Sequence, residues 1–138
     1  MRLLATRLGD TQLMLPIPQV DRVLAASETG GLQVVGLGEA MGFAESAPLP
    51  GDRVLVCRGS SGTGRVGLRV VGTLEEHELE GDALVALPRM LRRLSPPVWL
   101  AGLARNRNAL ALVVDLSRLT DELLRTRPEP PDAARRTD

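Results

Sequence analysis

A glycine-rich segment carries the residues in this sequence that are best suited to chemistry. Residues 62–67 read Gly-Thr-Gly-Arg-Val-Gly, which fits the dinucleotide pattern Gly-x-Gly-x-x-Gly, and Gly59 and Gly64 have the spacing of a P-loop. Both motifs bind phosphate through backbone N–H groups where a loop meets a helix N-terminus. A P-loop also needs Lys followed by Ser or Thr, and Arg65 and Val66 occupy those positions.

The segments on either side of the glycines separate two interpretations. Arg53–Arg58 and Arg65–Val71 are rich in β-branched residues, which is typical of strands. A dinucleotide site needs a helix directly after its glycines, because the helix N-terminus holds the pyrophosphate. The sequence therefore predicts that Gly59–Gly64 is the turn of a β-hairpin. The alternative is a nucleotide-binding enzyme that uses Gly59–Gly67.

The remaining residues with catalytic or metal-binding side chains are isolated from one another. His77 lies in the acidic segment Glu75–Glu78, but sequence neighbours do not converge on one ion, so we expect a solvated face. Cys57 lies in an apolar run and is expected to pack as a small hydrophobic residue. We interpret Asp115 as a helix cap and Trp99 as a core residue. The sequence thus predicts neither catalytic residues nor a metal or cofactor.

Composition bounds the class of partner. The 138 residues include 17 basic and 17 acidic side chains, one Phe, one Trp and no Tyr. A chain without net charge or aromatic platforms is not suited to binding nucleic acid or an anionic membrane. No apolar run approaches the roughly 18–20 residues of a membrane helix. We therefore expect a cytoplasmic protein with no membrane insertion.

The first half of the chain alternates short apolar runs with turn residues. Such runs, bounded by Gly, Pro and Asp, predict short strands. Val20, Val23 and Leu24 are spaced three and four residues apart, which favours a short helical turn. The predicted elements are a hairpin over Arg2–Leu8 and Gln12–Ile17, the helical turn, a strand over Leu32–Val35 and a helical turn over Gly38–Phe43.

The second half repeats this alternation and ends in a helix. Strand character is expected to resume toward Leu79, and Leu87–Leu94 is amphipathic. A last hairpin spans Val98–Ala104 and Ala109–Val114, and a helix follows to about Arg125. Residues 126–138 are rich in proline and charge, so they are predicted to be a disordered tail.

Three stretches, in the same order and with similar spacing, resemble the CheW-like family of bacterial chemosensory adaptors. Gly9–Leu24 is similar to the opening hairpin of that family and the short Val-rich helix after it. Arg53–Leu79 contains Val-Gly-Leu-Arg-Val-Val-Gly-Thr-Leu, which resembles the Gly-Leu-x-Val-Asp-x-Val hairpin arm of the family. Trp99–Leu116 resembles the final Gly-Leu strand, the apolar strand and the start of the closing helix.

The resemblance implies a mainly β fold of two small SH3-like β-barrel subdomains with short helices and a C-terminal helix. Residues 1–125 would form a single domain, with subdomain one at about 9–50, subdomain two at about 51–115 and the closing helix at 116–125. It also implies a non-catalytic adaptor of a signalling system. The implied partners are a histidine kinase regulatory domain, a chemoreceptor or another CheW-like protein.

A groove between the two barrels is the partner-binding site that the resemblance implies. Val20, Val23, Val70 and Leu74 match residues that line it. Arg22 stands where an acidic residue is common in the family, and it completes the candidate set. The alternative for the four apolar residues is that they form part of the core.

The sequence departs from the family pattern in one large respect. The family usually carries a long middle stretch before the strand matched by Leu32–Val35, whereas only Ser27–Gly31 occupies that space. The first barrel should therefore lack about two strands, which leaves open sheet edges that can pair with another chain. Self-association through such an edge, as a β-barrel interaction module, is a further hypothesis.

Overall fold

The computed structural model describes residues 1–43, 47–85, 87 and 89–126. These residues form two sheets and a few helices. The strands are β1 (Arg2–Leu8), β2 (Thr11–Pro16), β3 (Val20–Ala25), β4 (Val34–Gly36), β5 (Arg53–Arg58), β6 (Arg65–Val70), β7 (Glu75–Glu78), β8 (Leu84–Val85), β9 (Leu100–Asn106) and β10 (Ala109–Val114). The α-helices are α1 (Leu37–Ala40), α2 (Arg89–Arg93) and α3 (Leu116–Thr126), and short 3₁₀ turns occupy Ile17–Gln19, Ala26–Glu28 and Gly81–Ala83.

The larger sheet joins the two ends of the chain. Its six strands have the order β7-β1-β2-β10-β9-β8, and β2 lies parallel to β10 at its centre. Side chains alternate across strand faces, so β2 contributes to two cores. Met14 packs in a smaller cluster with Leu3, while Leu13 and Leu15 belong to the larger one.

The smaller sheet has the order β3-β5-β6-β4. The β5–β6 hairpin forms its centre, and β4 lies parallel to β6, with Val34 opposite Gly67. A Cβ atom at Gly67 would lie 2.6 Å from Val54 Cγ1, so only glycine fits this close approach. Both outer strands of this sheet are therefore placed by contacts with one hairpin.

The larger core cluster connects both sheets with α3. Leu55 and Leu68 contribute from the smaller sheet, and Leu116, Leu119 and Leu123 contribute from one face of the helix. All five side chains are at most 5% exposed. The spacing of the three helical leucines is that of an amphipathic helix, and their burial attaches α3 to the body of the protein.

The expected fold class is confirmed: the protein is mainly β, with two sheets, short helices and a C-terminal helix. The three predicted hairpins are present at β1–β2, β5–β6 and β9–β10. The helical turn predicted from Val20, Val23 and Leu24 is wrong, because these residues form β3. Val20 lies opposite Cys57 and Val23 opposite Leu55, so pairing with a buried strand outweighs the local spacing.

Each sheet contains strands from both sides of residue 50. The smaller sheet combines β3 and β4 with the β5–β6 hairpin, which the resemblance places in the second subdomain. Among the described residues, neither sheet closes on itself, because its two terminal strands do not pair with each other. The closing helix ends at Thr126, one residue later than expected. The tail prediction otherwise concerns residues 127–138, which lie outside the described residues.

Candidate partner-binding surface

The five candidate partner-binding residues divide into a buried group and an exposed group. Val70 is 2% exposed and belongs to the larger core cluster. Val20 and Leu74 are half-buried and pack against the same cluster. Val70 is therefore a core residue, which was the alternative interpretation. It can contribute to a binding surface only by supporting the residues above it.

Arg22 and Val23 form the exposed group, on β3. Arg22 is exposed, and the Val23 side chain is 42% exposed. Within the part of the chain that the structure describes, strand β3 pairs with β5 on one side only and is the terminal strand of the smaller sheet. Its second edge therefore presents backbone N–H and C=O groups that no strand of this sheet satisfies.

A cleft of about 530 Å³ lies beside β3. Val56 on its floor is 3% exposed, and the half-buried Leu24, Leu32 and Leu124 add to its apolar lining. The exposed Arg22 and Arg65 also line it. Within the described residues neither arginine forms an ion pair. The exposed Glu28 lines the cleft as well, so it combines an apolar floor with side chains of both charges.

The glycine-rich segment is a hairpin turn, as the sequence predicts. Gly59 donates its backbone N–H to the Gly64 carbonyl oxygen at 3.1 Å, and β6 follows antiparallel to β5. The helix that a dinucleotide site requires at this point is replaced by a strand. A Cβ atom at Gly59 would lie 2.4 Å from Asp121 Oδ1, and one at Gly64 would lie 2.5 Å from Leu124 Cδ1. These glycines therefore let the turn approach α3.

A short polar network fixes the start of α3 and the start of β3. Asp115 caps the helix, since its Oδ1 accepts the Arg118 N–H at 3.1 Å. Gln19 donates Nε2–H to the same oxygen at 3.1 Å, and its Oε1 accepts the Leu116 N–H at 2.7 Å. Gln19 directly precedes β3, so this network couples the exposed strand to the closing helix. The sequence contained a sign of the cap but none of the role of Gln19.

The side chains with potential catalytic or metal-binding chemistry lie apart. Cys57 is fully buried, and burial, with a smaller contribution from Asp21, raises its pKa to about 12. His77 lies in the other sheet, with Nε2 at 3.3 Å from Glu75 Oε2. Among the described residues, no group of three or more His, Cys, Asp or Glu side chains could hold a metal ion. Trp99 is 7% exposed, as expected of a core residue.

The arrangement of the two sheets is similar to that of a protein of known structure. No family model and no curated protein matches the sequence. The structure is similar to the crystal structure of scaffolding protein TtCheW from Thermoanaerobacter tengcongensis, with a TM-score of 0.65 and 14% sequence identity. The match covers 86% of this chain and 90% of that chain. This chain has the CheW-like fold.

The CheW-like fold accounts for the order of the three resembling stretches. The opening hairpin, the glycine-bearing hairpin and the final hairpin are the paired units around which the two sheets are built. In the part of the chain that the structure describes, no helix is long and apolar enough to cross a membrane.

Proposed function

We propose that this chain is a non-catalytic adaptor of a bacterial chemosensory-type signalling system and acts in the cytoplasm. The observation that carries the proposal is the likeness to a scaffolding protein over 86% of this chain and 90% of that one. A fold shared over nearly the whole of both chains supports a shared mode of action through protein surfaces. Fold alone does not establish function, so a binding experiment must decide.

The proposed partners are a histidine kinase regulatory domain, a chemoreceptor or another CheW-like protein. We place the contact on β3, where Arg22 and Val23 are exposed, with Val20 and Leu74 at the margin of the core. Arg22 suits a protein interface because Arg is enriched there, and the exposed Val23 beside it adds apolar contact area. Val70 supports this surface from beneath.

A titration of the purified full chain against the regulatory domain of the cognate kinase and against the receptor tip tests the proposal. We expect saturable binding to at least one of them, with a dissociation constant of tens of micromolar or tighter. Val23→Glu places a charge in the contact and should weaken binding at least about tenfold, because charge burial is costly. Arg105→Glu, at an exposed position on β9, is the matched control and should bind normally.

Two results would contradict the proposal. The first is no binding to either partner at tens of micromolar by a chain whose circular dichroism shows that it is folded. The second is binding that Val23→Glu and Arg105→Glu reduce equally, which would move the contact away from β3.

A further inference from the structure

Among the described residues, two of the four terminal strands present a free edge of four or more residues. The larger sheet ends in β7 with four residues and β8 with two, and the smaller ends in β3 with six residues and β4 with three. A terminal strand presents unpaired backbone groups and can accept a strand from another chain. On length, β3 and β7 offer the most pairing positions.

The two long edges differ in charge. Strand β7 reads Glu-Glu-His-Glu, and its three carboxylate side chains are all exposed. Glu76 pairs with Arg2 and Glu75 contacts His77, whereas Glu78 forms no ion pair with any described residue. On β3 the exposed Arg22 has no ionic partner among the same residues. An unneutralised acid thus lies on one edge and an unneutralised base on the other.

Charge opposes pairing of two β7 strands with each other. Antiparallel contact would bring glutamates of the two copies together, and like charges on neighbouring strands are destabilising. Pairing of β7 with β3 instead brings Glu78 toward Arg22. Charge therefore disfavours β7–β7 pairing and favours β7–β3 pairing.

We propose that β3 of one copy of this chain pairs antiparallel with β7 of a second copy. In the register that places Arg22 opposite Glu78 of the partner, Val23 lies opposite His77 and Leu24 opposite Glu76. Because side chains alternate along strands, Arg22 and Leu24 then share one face with both glutamates. The pairing extends the smaller sheet of one copy with the larger sheet of the next.

The contact is heterologous, since each copy contributes a different edge. Every copy in a pair retains one free β3 or one free β7, so association continues beyond the dimer unless the copies close into a ring. The pairing depends on opposite charges at the surface, so added salt should weaken it. It goes beyond the proposed adaptor function by naming a second copy of this chain as an occupant of β3, where it would compete with a kinase or receptor.

A reciprocal charge exchange tests the proposal by sedimentation velocity on the full chain across a concentration series. The wild type should show weight-average mass that rises with concentration and falls with added salt. Arg22→Glu and Glu78→Arg should each reduce the association constant at least about fivefold, because each creates a like-charge pair across the strands. An equimolar mixture of the two variants should regain association, since every contact between one variant and the other places a glutamate opposite an arginine. The double variant should regain it alone.

Two control variants and three contradicting results complete the test. Arg105→Glu and Asp10→Arg change exposed charges away from both edges and should associate as the wild type does. A wild-type chain that remains monomeric at several hundred micromolar would overturn the proposal. So would association that Arg22→Glu abolishes and Glu78→Arg leaves unchanged, which would indicate pairing of two β3 edges. Failure of the mixture to associate would also refute the pairing. The kinase and receptor titrations are separate measurements, so their failure would leave the sedimentation results unchanged.

Discussion

The Asp121 carboxylate binds Ser60 through both of its oxygens. Oδ1 accepts the Ser60 backbone N–H at 2.9 Å, and Oδ2 accepts the Ser60 hydroxyl at 2.6 Å. The two residues are 61 positions apart, and they fasten the tip of the β5–β6 hairpin to α3. The backbone N–H that a phosphate-binding loop would direct at a ligand is thus directed at a carboxylate of the same chain.

Asp121→Ala should lower the free energy of unfolding by about 1–2 kcal/mol, because two hydrogen bonds to a charged group are lost at a partly solvated site. Thermal and urea denaturation measure the effect. Glu122→Ala is the matched control, since among the described residues Glu122 forms an ion pair with the exposed Arg125 alone, and it should cost well below about 1 kcal/mol. Equal losses for the two variants would contradict the fastening role of Asp121.

Gly64→Val should destabilise the protein through steric conflict with α3. Leu124 Cδ1 lies 2.5 Å from the position of the added Cβ, and forced displacement in a packed contact costs about 1–3 kcal/mol. Gly51→Val is the control, because no atom of the described residues lies within 4 Å of a Cβ there and its φ is not positive. Leu124→Ala should relieve part of the Gly64→Val loss in a double-mutant cycle. Additive losses would show that the two positions do not touch.

Calorimetric titration with ATP, GTP and NAD should show no saturable binding. A strand follows the glycines, the Lys of a P-loop is replaced by Arg65, and the Ser60 N–H already has an acceptor. A saturable signal that Gly62→Val abolishes would instead support the nucleotide-binding alternative. Gly62 is suited to this test because a Cβ there meets no atom of the residues that the structure describes, although its φ of 76° adds some strain.

The buried Cys57 thiol should make folding stability fall at alkaline pH. Its pKa is raised from 9.0 to about 12 in the folded protein, first by burial and then by Asp21. The unfolded chain therefore releases this proton at lower pH than the folded chain. Stability from this group is fully present below about pH 9 and declines as pH rises toward 12. Urea unfolding at several alkaline pH values measures the decline, which Cys57→Ala should reduce. An identical decline in that variant would assign it to other groups.

Much of the secondary structure could be predicted from local pattern. The β5–β6 hairpin follows from two β-branched runs around Gly59, Gly62 and Gly64, and α3 follows from the leucine spacing after a capping Asp115. Strand β3 could not be predicted in this way. Its six residues are mostly exposed, so the local pattern carries little signal, and only pairing with β5 makes the segment a strand.

The candidate surface was predictable in part. The resemblance singled out Val20, Arg22, Val23, Val70 and Leu74, but the sequence could not separate the buried Val70 from the exposed Val23. Exposure depends on which strands cover a side chain, and that is a property of sheet order. The cleft lined by Arg22 and Arg65 arises from segments more than 40 residues apart and had no local sign.

By itself, the sequence determined that the chain is mainly β, that its glycine motif is flanked by strands and that its charges balance. These properties follow from the period of apolar residues and from composition, which act over a few positions. The tertiary structure decided which strands meet. It joined β1 and β2 with β9 and β10 in one sheet and, among the described residues, left β3 and β7 as free edges. It also placed Asp121 against the glycine turn, because the burial of three leucines fixes α3 against the core across 61 positions of sequence.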